Sequence, residues 1–214
     1  VKITRALASL GLAAGLVGGC RSRGNEATAG AGAASSVSSN VTASPSASAA
    51  EPSAEAAPLH RAPVREGGAL ARSIEGDGLF LADEDHRVLR RLPLDPKEPA
   101  SALVLPGAPA QVLVLGDRLL VTVRDPGLLL IVRYAAATGF VELARVPLPA
   151  DAWGIAVTPD ESLALVSSAW THQVSAVEIA TAKKRWSIDV PREPRAIVVR
   201  GDGAGAYVTH LVGA

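Results

Sequence analysis

The chain has 214 residues, of which 48 % are hydrophobic but only 3 % aromatic, with one Cys, no Met and 21 basic against 21 acidic side chains. Ala and Gly supply much of the hydrophobic count and bury little area each, so the core available is smaller than the length implies for domains of roughly 100–200 residues. Balanced charge leaves no electrostatic footprint for nucleic acid, and a single Cys excludes an intrachain disulfide, a Cys-rich zinc site and a Cys-x-x-Cys-His haem attachment within these residues.

At the N-terminus, Lys2 and Arg5 precede an apolar run from Ala6 to Val17. The run is shorter than the ~20 residues a membrane span needs and fits a secretory signal. It ends in Val17-Gly18-Gly19-Cys20, which resembles the lipobox of bacterial lipoproteins: an aliphatic residue three before the Cys, and small residues between. The resemblance implies that residues 1–19 are a signal peptide removed before Cys20, and that Cys20 carries lipid. Two or three acyl chains would make a stable membrane anchor. The competing readings are a plain cleaved signal and an amphipathic helix with a chance buried Cys. Arg21, rather than Asp, follows the Cys, and the sorting rule of the same family then favours the outer membrane. The expected location is the extracytoplasmic cell envelope, with the membrane as partner through the anchor.

Residues 20–64 read as a tether. From Arg21 to about Pro58 the sequence is almost wholly Ala, Ser, Gly, Thr and Pro, with only Val37 and Val41 as branched aliphatics. Such a segment cannot bury enough apolar surface to offset its ordering entropy. As a flexible chain of some 40 residues it would reach about 35 Å. Residues 65–214 are left to make the core.

Internal repeats decide the expected fold. Pro109–Val114, Ala152–Val157 and Pro194–Val199 align, with starts 43 and 42 residues apart, and each is preceded three residues earlier by a proline, at Pro106, Pro149 and Pro191. Each then reaches an acidic turn residue, Asp117, Asp160 or Asp202, followed by a β-rich run; Asp77 before Leu79–Ala82 marks an earlier copy. Within a period the alternation has a repeat of two. In the clearest unit the strands fall at Gly154–Val157, Leu163–Ser167, Val174–Ile179 and Arg185–Val190, and no stretch after residue 65 has a helical stripe. Four short strands in about 42 residues is the pattern of a β-propeller blade.

The segments Trp153–Asp160, Val174–Thr181 and Ala206-Tyr-Val-Thr209 resemble the YVTN-type β-propeller repeat. The match is good over about 152–209 and looser over 69–150, where Asp117-Arg118-Leu119 is one residue short. The expected fold class is all-β: about 3.6 four-stranded blades, at about 69–108, 109–151, 152–193 and an incomplete 194–214. Closed propellers have typically 4–8 blades, so the reading expects an incomplete chain with further blades beyond it. A closed four-bladed ring or a short open β array is the competing reading.

Propeller topology places two kinds of loop on one face: those joining second to third strands, and those leading into the next blade. Asp83, Asp85, His86, Arg124, Asp125, Trp170, His172 and His210 fall in the first kind, and Trp153, Arg192 and Arg195 in the second. Aromatic and ionisable groups on loops of a rigid scaffold suit a binding surface, although loops are polar in any case. No metal site is expected, because His86, His172 and His210 would have to converge from separate blades and Asp83–His86 lacks calcium-loop spacing.

Two functions compete. The first is a lipid-anchored envelope module that binds a protein or small-molecule ligand through this face. The second is the N-terminal propeller of a redox enzyme, because YVTN-type propellers are also fused to c-type cytochromes related to di-haem peroxidases. No cofactor is expected in the residues present, and a c-type haem would lie in a downstream domain.

Overall fold

The computed structural model describes residues 2–3 and 64–211. Cys20, most of the expected leader and the tether up to residue 63 lie outside the described residues. No helix occurs among the described residues. Strands β2 (Leu70–Arg72), β3 (Gly78–Asp83), β4 (Val88–Pro93) and β5 (Ser101–Val104) form the first antiparallel sheet. The second holds β6 (Pro109–Leu115), β7 (Arg118–Val123), β8 (Leu128–Ala135) and β9 (Gly139–Pro147). The third holds β10 (Ala152–Val157), β11 (Leu163–Ser168), β12 (Gln173–Glu178) and β13 (Lys183–Asp189). In the fourth, β14 (Pro194–Val199) pairs with β15 (Ala206–His210), whose other edge pairs with the two-residue β1 (Lys2–Ile3). Each sheet is a blade, and in the first three the strands run in chain order from the innermost outward.

Burial follows position within the blade. Middle strands of blades two and three are sandwiched between neighbouring blades and are buried on both faces: in β7, all five residues from Leu119 to Val123 are buried. Because successive side chains point to opposite faces, alternate residues serve different junctions. Leu119, Val121 and Val123 pack towards Phe80 and Leu89 of blade one, whereas Leu120 packs with Ile155 and Val166 of blade three. In blade three, Ala164 and Val166 face blade two, and Leu165 joins Ile197 and Val208 of blade four. Outer strands have no neighbour beyond them and alternate instead, as in β13.

A hydroxyl relay fastens the innermost strands of blades two and three to the next blade. The pairing of β6, β10 and β14 slips near its start, which frees one backbone N–H in each. Thr122 accepts from Gln111 N at 3.0 Å, Ser167 from Gly154 N at 2.9 Å, and Thr209 from Ala196 N at 3.0 Å. Thr122 then donates to the carbonyl of Trp153 at 2.7 Å, and Ser167 to that of Arg195 at 2.6 Å. Gly154 is required at this approach, since a Cβ there would lie 2.0 Å from the Arg195 carbonyl oxygen.

The acidic residue of the repeat closes the turn between first and second strands. Asp160 accepts from the Thr158 hydroxyl at 2.5 Å and from Ser162, and these bonds hold its carboxyl below the usual range. Asp202 accepts from Ala204 N at 2.9 Å. Blade two, where the repeat is one residue short, still forms a full sheet: Leu115 and Arg118 pair directly across a two-residue hairpin with Gly116 at φ +56°, the left-handed geometry such hairpins require.

Residues 65–68 run along the inner edges of two blades. Gly67 N donates to Ile155 O at 2.8 Å and Val157 N to Arg65 O at 2.8 Å. Gly68 and Val112 exchange both backbone hydrogen bonds, at 3.1 and 2.7 Å. Periodicity gave no sign of this strap, because it makes only isolated bridges.

Candidate functional site

The loop face gathers at the junction between blades two, three and four. Asp151, the residue before β10, is fully buried and has φ +59°, a conformation that Asp tolerates better than most residues. Its backbone N–H donates to Arg124 O at 2.8 Å, and its carbonyl accepts from Ala169 N at 2.9 Å. Its carboxylate accepts from Arg124 Nε at 2.6 Å and lies 3.6 Å from Arg195 Nη1. Arg124 also pairs with Glu84 of blade one, and Arg195 with Glu193 at 2.8 Å.

Trp153 meets both guanidiniums. Arg124 stands 4.5 Å and Arg195 4.2 Å from its ring, both within cation–π range. Burial disfavours the charged form of Arg124, but the hydrogen bond and charge of Asp151 outweigh it, and the net direction is upward. The result is a clasp in which acids and arginines alternate from blade one to blade four.

Of the residues expected on this face, the structure brings Arg124, Trp153 and Arg195 together. Glu84, Asp151 and Glu193 complete the clasp and were missed by sequence reasoning. A signal for two of them was present: Asp151 and Glu193 each precede an innermost strand one repeat apart, and both have positive φ.

The remaining expected residues are spread over the loops. Asp83 accepts from Arg90 Nε at 2.7 Å and pairs with His86 Nδ1 at 2.9 Å; Arg90 first, then His86, hold its carboxyl far below the usual range. Asp85 and Asp125 are exposed. His172 occupies a turn at φ +54° and its carbonyl accepts from Val190 N, so its backbone closes the loop. His210 Nδ1 lies 2.9 Å from the carbonyl of the exposed Arg192. Trp170, at the tip between β11 and β12, is 56 % exposed. Among the described residues, no group of three or more His, Cys, Asp or Glu is placed to hold a metal ion.

Solved structures share this architecture. Hydrazine synthase of Kuenenia stuttgartiensis matches with TM-score 0.56 and 18 % identity over 68 % of this chain and 42 % of that one. Streptogramin B lyase matches with TM-score 0.54 and 18 % identity, covering 67 % and 48 %. The β-propeller domain of Cps50 (Swd1) from Myceliophteria thermophila matches with TM-score 0.51 and 12 % identity, covering 66 % and 50 %. The chain thus spans half or less of the length of each. No family model and no curated protein sequence matches the chain. The fold is that of a β-propeller, built as four-stranded antiparallel blades.

Proposed function

We propose that this chain is a lipid-anchored binding module of the cell envelope, held to the membrane through Cys20 and engaging a protein or small ligand through its loop face. The observation that supports the binding role is the division of labour on that face. The clasp around Asp151 is closed by its own ion pairs, while Trp170 stands exposed at a loop tip beyond it. A large aromatic presented on a rigid scaffold is the usual anchor of an interface. Arg192, His172 and Asp125 supply ionisable groups on the same face. The anchor rests on the sequence Val17-Gly-Gly-Cys20 and the two-chain requirement for stable attachment.

Metabolic labelling with a fatty-acid analogue in a bacterial envelope tests the anchor: the parent chain takes label and Cys20→Ala does not. Equal labelling of the two would overturn it. The binding role is tested by proximity capture with the anchored chain, comparing the parent with Trp170→Ala/Arg192→Ala. Loss of the captured species from the double variant is the expected result.

A further inference from the structure

At the opposite ends of the strands, the junction of blades one and two holds a cavity of about 290 Å³, and the geometry points to a binding site for a small organic cation there, distinct from the loop face. The volume lies near the lower end of the ~300–1,000 Å³ typical of ligand pockets, so the ligand is small. One wall is aromatic. Phe80 and Tyr134 line the cavity with ring centroids 5.5 Å apart, and Phe140 packs against Tyr134 at 4.9 Å without lining it.

Charge selects the ligand class. The cavity is lined by the carboxylates of Glu75, Asp77 and Asp117 and by one cation, Arg91. Arg91 is almost fully buried, and its charge is already met: Nη2 donates to Asp77 at 2.6 Å and Nη1 to Glu98 at 3.3 Å. Its guanidinium lies 5.1 Å from the centre of the Tyr134 ring. Asp117 pairs only with exposed arginines, Arg133 at 2.9 Å and Arg118 at 3.8 Å, contacts of the kind that contribute little and exchange readily. An anion entering the cavity would meet three carboxylates against one lining cation. An ammonium or guanidinium would meet Glu75 and Asp117 beside the Tyr134 ring, and aromatic rings attract cations. Arg91 itself shows that this junction stabilises a guanidinium between carboxylates and an aromatic ring.

The test is titration of the full chain with agmatine, which carries both a guanidinium and an ammonium, followed by NMR amide shifts, with glucose and citrate as neutral and anionic controls. Saturable binding is expected, with shifts centred on Gly78 and Gly116, and Glu75→Gln/Asp117→Asn should weaken it about tenfold, as expected for loss of charge contacts to the ligand. Both positions are exposed, and circular dichroism would confirm that the variant is folded. Tyr134→Leu should weaken binding about threefold, the scale of a cation–π contact. The proposal is overturned by titration without saturation, by shifts elsewhere on the surface, by a double variant that binds as the parent does, or by glucose or citrate binding more tightly than agmatine.

Discussion

Two junctions of this propeller use the same chemistry to opposite ends. On the loop face, Arg124 and Arg195 both lie against Trp153 around a fully buried Asp151. At the other end, Arg91 lies over Tyr134 with Asp77 and Glu98, both about half exposed, as its counter-charges. The difference is the position of the acid. A carboxylate at the centre draws both arginines inward and closes the junction, whereas carboxylates at the rim satisfy Arg91 and leave space between the blades. Arginine–aromatic stacking alone therefore does not mark a binding site; the placement of its counter-ion decides.

This comparison is most strongly challenged at Asp151. Asp151→Asn keeps the left-handed backbone accessible but removes the charge shared by two arginines, and a loss of about 3 kcal/mol is expected in urea unfolding. Thr122→Val leaves Gln111 N and the Trp153 carbonyl without their hydroxyl partner, and should cost about 1–3 kcal/mol. Gly154→Ala acts on the same relay by steric conflict and should cost a similar amount, about 1–3 kcal/mol. Arg91→Met should cost about 1–2 kcal/mol, because the carboxylates it leaves behind are solvated and only packing and stacking are lost. If Arg91→Met proves as costly as Asp151→Asn, the contrast between the junctions fails.

Acid sharpens the contrast further. Asp83, Asp77 and Asp160 all have carboxyls held below the usual range, by Arg90, by Ser73 and by Thr158 respectively as the leading cause. A carboxyl depressed in the folded state contributes stability above its unfolded pKa of about 4, and that stability is lost as pH falls below it. The urea midpoint should therefore be level from neutral pH to about 5 and drop below about 4. Asp83→Asn should flatten the drop. A midpoint that falls equally in parent and variant would remove Asp83 from the account.

The sheets were legible in the sequence because each strand's apolar pattern reports its place in the blade. The run Leu163–Ser167 reads as a buried middle strand, and the acid at 77, 117, 160 and 202 marks the turns. The strap at residues 65–68 was not legible, since four backbone hydrogen bonds leave no side-chain pattern. The loop face was legible as a place but not as a device. Trp153 stands out as an aromatic, whereas only the fold shows that Asp151 is buried beside Arg124 and Arg195. The cavity at Tyr134 went unseen because its wall draws on strands from two blades, 54 residues apart between Phe80 and Tyr134.

Trp170 gives the smallest expected effect on stability and the most direct test of the binding role. Because it is largely exposed, Trp170→Ala should change stability by no more than about 0.5 kcal/mol. The decisive measurement is proximity capture by the chain in a bacterial envelope, comparing Trp170→Ala/Arg192→Ala with the parent at equal folded amount. The account predicts that the double variant loses species that the parent captures. Identical capture by the two chains would contradict a binding role for the loop face.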